Sequence, residues 1–287
     1  MANHSFRHVG RRLATGHRAG RAALGLGVVA VSVTGLMAGG VTPAAATPVN
    51  CFAAPAAGID LHHCLLTNAN YAGADLAGAN LAYADLTGAN LSGANLSGTH
   101  FDHATLLSAT LTNANLSGAV FTGATLGSAS LTGATLNGAK LNGANLTAAN
   151  LTNANIKKAH FDGAILSGAT LSGANVLESV LNGAQLNGAQ LVGTRLDNAK
   201  MRGVNLSNAA LNTAHLDGAV LSNAVLTGAN LTGANLYKSK LINATLTNAN
   251  FTGADLARAN VSGAKKSGAI WTNAVCPSEN PAGPSGC

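Results

Sequence analysis

Two short histidine and carboxylate clusters are the densest groups of chemistry-bearing side chains in this sequence. Asp60 stands beside His62 and His63, and His100 stands beside Asp102 and His103. Imidazole and carboxylate together suit zinc ligation or proton relay. Neither cluster has a fourth ligand at a zinc-site spacing, so the histidines read as surface residues without a metal. No nucleophile elbow, phosphate-binding glycine loop or H-E-x-x-H stretch occurs. Serine is abundant but stands beside no paired base. No enzymatic activity and no cofactor are expected.

What must position these residues is a stutter. From Leu66 every fifth residue is large and apolar: Leu66, Tyr71, Leu76, Leu81, Leu86 and so on to Leu256 and Val261. About 40 steps run without an insertion. Two places before each large residue sits a small one, nearly always Ala; Thr99, Ser179, Thr194, Val204 and Ser239 are among the exceptions. In an extended segment, residues two apart point to the same side, so the large and small residues share an interior. Two places after the large residue comes Gly or, often, Asn, which tolerate the positive φ of a tight turn. Each unit is therefore a short extended piece and a corner. Corners that always turn the same way wind the chain into a solenoid. A helical solenoid is disfavoured, because Gly in a helix interior costs about 1 kcal/mol each time.

The units "ANLSG", "ADLTG" and "ANLTG" resemble the pentapeptide-repeat family over roughly residues 59–275. The resemblance implies an all-β fold: a right-handed quadrilateral parallel β-helix with four repeats per coil. It also implies about ten coils and a rod about 48 Å long at the usual strand spacing. An interior filled by Leu and Ala would leave no substrate pocket.

Four repeats per coil bring residues twenty apart onto one column. Phe101, Phe121 and Phe161 then share an interior column, and Phe101 should stack on Phe121 as core. Outside, His100, Lys140, His160, Lys200 and Lys240 share one column. Lys157, Asp197, Asp217 and Tyr237 share its neighbour, and Lys158, Glu178, Lys238 and Arg258 the next. Arg195, His215 and Asp255 lie just before them, and Asp162 and Arg202 just after. Charge is thus confined to one corner and side, with Asp85, Lys265 and Lys266 as the main exceptions. The candidate interaction stripe is Lys140, Lys157, Lys158, His160, Arg195, Lys200, Arg202, Tyr237, Lys238, Lys240 and Arg258. As plain surface charge, it would supply solubility and weak ion pairs. The other sides carry hydroxyl ladders, such as Thr112, Thr132, Thr152 and Ser172, which suit a flat β surface. Val120, Val180 and Val220 in one outward column hint at a homodimer side.

Residues 1–46 have the layout of a secretory signal peptide. Arg7, Arg11, Arg12, Arg18 and Arg21 precede the apolar run "AALGLGVVAVSVTGLMAGG", and Ala44-Ala45-Ala46 offers a cleavage site before Thr47. The run is broken by Gly and short for a membrane span. Arg11-Arg12 keeps a twin-arginine route open beside the general one. Residues 47–65 read as an N-terminal cap, 66–264 as the solenoid, and 265–287 as a C-terminal cap and tail. All four cysteines lie in the caps. An even count in an exported chain implies disulfides. Sequential pairing, Cys51 with Cys64 and Cys276 with Cys287, is expected because the pairs lie at opposite ends of a rod. Trp271 reads as a bulky closing residue, and Pro277, Pro281 and Pro284 deny the last edge its donors.

Removal of the leader takes five arginines away. Eleven Lys and Arg then face ten Asp and Glu. Such a balance has no nucleic-acid footprint. The expected function is a non-enzymatic, secreted structural or interaction rod at the cell envelope or outside the cell, with an envelope protein or surface polymer as partner. The family resemblance offers an alternative, since some members imitate duplex DNA and bind type II topoisomerases. That role needs a strongly negative rod, and both the near-neutral charge and the export signal count against it.

Overall fold

The backbone of one repeat, residues 90–94, accounts for every N–H it carries. Asn90 donates back to Ala69 O (2.9 Å), and Leu91 donates forward to Thr110 O (2.7 Å). Gly93 donates to Thr112 O (2.9 Å), and Ala94 closes the turn on Leu91 O (3.1 Å). The fifth N–H, of Ser92, reaches the side chain of Asn90 at 3.1 Å, and the Ser92 hydroxyl joins it there at 2.7 Å. A buried or crowded backbone tolerates few orphan donors, and this arrangement leaves none. Gly93 sits at φ 64°. Positive φ at the third residue of a four-residue turn closed by this bond is the type II pattern. Asn113 and Asn153 hold the same conformation at 57°, which is why Asn alternates with Gly there.

Repetition of this unit builds the computed structural model, which describes residues 49–277 and residue 287. The expected leader, the cleavage position before Thr47, Pro281 and Pro284 lie outside the described residues. Parallel bridges link each residue to the one twenty places on, from Asp60 with Asn80 to Asp255 with Val275. The coil is therefore four-sided. The register runs past both ends of the 66–264 segment. Every bridge is isolated, one residue per side per coil. Two of each five residues are spent on the corner, so the sides pair in parallel without lengthening into extended strands.

The first face carries bridge residues 60, 80, 100 and so on to 260. The second starts at 65, the third at 70 and the fourth at 75. The large and small residues point inward, as Leu146 and Ala149 do with no exposed surface. A fully buried Leu contributes about 2 kcal/mol by removal from water. Phe101 and Phe121 stack with centroids 4.7 Å apart, one coil above the other. Thr99, Ser179 and Thr194 replace Ala without exposure. Their hydroxyls donate to Leu76 O, Ile156 O and Leu171 O at 2.7–2.8 Å.

The ends are closed by different devices. At entry, Cys64 takes a small-residue position at 1% exposure and stands in disulfide geometry with Cys51, Cα atoms 5.5 Å apart. Val49, Cys51 and Ile59 pack on the core there. At exit, Cys276 and Cys287 form the second such pair, Cα atoms 5.2 Å apart. Lys266 occupies a large-residue position, and its ammonium donates to Cys287 O at 2.6 Å. Trp271 lies against Phe251 with centroids 4.4 Å apart. Among the described residues no helix is long and apolar enough to cross a membrane.

Candidate functional site

Corner residues and bridge residues point outward, and their chemistry is divided between two sides of the coil. The corner between the second and third faces, the third face, and the corner between the third and fourth carry no charged residue from Thr67 to Asn273. The fourth face, the first face and the two corners flanking the first carry nearly all of them. Asp85, Lys265 and Lys266 lie elsewhere, as expected from the sequence.

The stripe residues sit on that charged side, in adjacent columns. Lys140, His160, Lys200 and Lys240 lie on the first face, all exposed. Lys157, Lys158, Tyr237, Lys238 and Arg258 lie on the corner between the fourth and first faces. Arg195 lies on the fourth face and Arg202 on the corner leading to the second. Some cations are engaged. Lys158 Nζ is 3.5 Å from Glu178 Oε2 in the next coil, and Arg195 Nε is 3.5 Å from Asp197 Oδ2. Tyr237 holds two cations, Lys238 Nζ at 4.8 Å and Arg258 Cζ at 5.8 Å from its ring centroid. Among the described residues no carboxylate pairs with Lys140, Lys157, Lys200, Arg202 or Lys240. Two buried acceptors on the same corner column, Asn137 Oδ1 and Asp197 Oδ2, receive no hydrogen bond. The Arg195 contact to Asp197 is an ion pair in distance only.

The histidine clusters fall at the entry end of the same side. His62 Nδ1 meets Asp60 Oδ1 at 2.7 Å, and this bond is the main cause holding the Asp60 carboxyl below its ordinary value, against the opposing effect of desolvation. His100 Nδ1 lies 3.5 Å from Asp102 Oδ2. Tyr83 stands between the clusters: its ring stacks on His63 at 4.9 Å and on His103 at 5.0 Å. The two clusters are thus held apart by a phenol ring. Among the described residues no group of three or more ligating side chains could hold a metal ion. Sequence reasoning noted both clusters but not the tyrosine between them. The step of twenty from His63 to Tyr83 to His103 carries that signal. It also left unexplained why Asn or Asp precedes the large residue, which the hydrogen bond to the corner N–H now supplies.

No curated protein matches the chain significantly. Among solved structures, HetL, a pentapeptide repeat protein involved in heterocyst differentiation regulation from Nostoc sp. strain PCC 7120, is 33% identical. It covers 75% of this chain and 90% of its own length, with a TM-score of 0.49. A pentapeptide repeat protein from the Arabidopsis thaliana thylakoid lumen is 30% identical over 33% of this chain and 66% of its own, with a TM-score of 0.33. QnrB1, a plasmid-mediated fluoroquinolone resistance protein, is 19% identical over 70% and 91%, with a TM-score of 0.40. The family model for pentapeptide repeats matches in overlapping and adjoining segments from residue 57 to residue 265. With its sequence matched over most of its length and its backbone returning every twenty residues, the chain belongs to the pentapeptide-repeat family of right-handed quadrilateral β-helices, proteins that are generally structural or interaction modules rather than enzymes.

Proposed function

We propose that this chain is an exported, non-enzymatic interaction rod that acts at the cell envelope or outside the cell. It docks a partner protein or a surface polymer through its charged side. The observation that carries this reading is the segregation of charge. A rod needing charge only for solubility has no reason to leave one side bare from Thr67 to Asn273. Export is supported by the signal-like layout of residues 1–46, with cleavage expected before Thr47. Cysteine pairs in disulfide geometry at both ends suit an oxidising compartment. A topoisomerase-directed duplex mimic needs dense negative charge, and the Thr47–Cys287 unit carries eleven basic against ten acidic residues.

The test is to fractionate the native host and take the N-terminal residue and unreduced mass of the recovered protein. An envelope-bound or extracellular chain starting at Thr47, lighter by the hydrogens of two disulfides, supports the reading. A cytoplasmic chain starting at Met1 with free thiols overturns it.

A further inference from the structure

The charged side is divided along its length as well. From Val49 to Ala139 it carries Asp60, Asp75 and Asp102 and no Lys or Arg. Every Lys and Arg of the described residues lies from Lys140 onward. From Lys140 onward the same side carries nine Lys and Arg against five Asp and Glu, so the rod is net acidic at one end and net basic at the other, and is complementary to itself when a second copy runs the opposite way. We propose that two copies of this chain pair antiparallel, first face against first face, as an isologous dimer. This rests on the charged side being the docking side, and names its occupant.

The register follows from the columns. A two-fold axis between the levels of Lys140 and His160 places each first-face residue opposite the one whose number brings the sum to 300. Asp60 then faces Lys240 of the second copy, Val120 faces Val180, and Lys140 faces His160. On the corner leading to the second face, Asp102 meets Arg202 and Asn142 meets Asp162. On the corner before the first face, Lys157, which has no carboxylate partner among the described residues, meets the neutral Asn137. The two-fold axis makes each of these contacts twice. The arrangement gives partners to Lys157, Arg202 and Lys240, and sets the half-buried Val120 and Val180 against each other near the centre. A shift by one coil loses the Asp102 to Arg202 and Val120 to Val180 matches together. The charge-free side remains outward on both copies.

Sedimentation velocity of the full chain tests the pairing. A dimer is expected at about 50 mM salt, weakening at least tenfold at about 500 mM, since exposed charges are screened over a few ångströms there. Asp102→Arg and Arg202→Asp should each shift the chain toward monomer, and the double variant should restore the dimer. Within one chain these residues are five coils apart, about 24 Å at the usual spacing, so such rescue can arise only between chains. Circular dichroism of each variant checks that the coil is intact. A folded monomer under all conditions, or a dimer whose swap does not rescue, overturns the pairing. If that monomer is retained on immobilised polyglutamate and released by Arg202→Asp, the charged side docks an anionic polymer and self-pairing is wrong. If it binds neither, the docking-side reading falls with it.

Discussion

Trp271 lies flat on Phe251, centroids 4.4 Å apart and planes within 2°. Phe251 has no exposed surface, while Trp271 remains half-open, so the tryptophan is the lid on an interior column. It is also the sole tryptophan, which makes its fluorescence a report on the exit end alone. Trp271→Ala should lower the stability of the last coil by about 2 kcal/mol, less than a fully buried aromatic because the ring is partly solvated. Hydrogen exchange should show the loss confined to residues after about Phe251. Equal protection of this segment in both proteins would contradict the lid.

Reduction of the Cys276–Cys287 pair should act at the same end. Closing a loop of about a dozen residues stabilises by roughly 2–3 kcal/mol. With reductant present, the Trp271 emission should shift red at a lower urea concentration than the loss of circular dichroism. Coincident transitions would mean that the Cys276–Cys287 pair does not hold the cap.

Mid-rod, the inward and outward registers separate cleanly. Leu146 has no exposed surface, whereas Thr147 is exposed at the next corner. Leu146→Lys forces an unpaired ammonium into an apolar interior, costing at least about 4 kcal/mol. Thr147→Lys should stay within about 0.5 kcal/mol of the parent. Thermal melts of the pair decide it, and matching midpoints would refute the register.

Two buried serines should respond oppositely to alanine. Ser179 donates to Ile156 O at 2.7 Å and accepts from Ala159 N–H at 3.2 Å. Ser239 occupies the equivalent buried position with no partner for its hydroxyl. Ser179→Ala should cost about 1 kcal/mol and Ser239→Ala should gain about 1 kcal/mol. Urea denaturation of both variants measures the contrast.

Asp85 supplies a pH-dependent case. The Thr87 hydroxyl donates to it at 2.6 Å and the Thr87 N–H at 3.0 Å, and together they hold the carboxyl below its ordinary 3.8. A depressed folded-state value stabilises above the unfolded value and is lost as pH falls through the folded one. Thr87→Val removes the hydroxyl, so the Asp85 titration followed by NMR should move up. The melting temperatures of parent and variant should differ above about pH 4 and draw together below it. A constant gap down to strong acid would mean the hydroxyl acts by some route other than the carboxylate.

The five-residue period, the inward pair of Leu and Ala, the corner at Gly or Asn and the export-like leader are all legible in the sequence by itself. Each follows from local steric and solvation rules that act within a few residues: alternation of side chains, tolerance of positive φ, and the cost of water on Leu. The step of twenty came from family resemblance, and the bridges from Asp60 to Val275 supply its basis in this chain. What tertiary structure decided is everything that depends on a neighbour one coil away. Tyr83 between His63 and His103 and the ladder in which Asn182 donates to Asp162 and accepts from Arg202 N–H involve residues twenty apart. Lys266 reaching Cys287 is of the same kind. Their partners are chosen by the stacking of coils, and a side chain can satisfy its hydrogen bonds only after that stacking has brought an acceptor within reach.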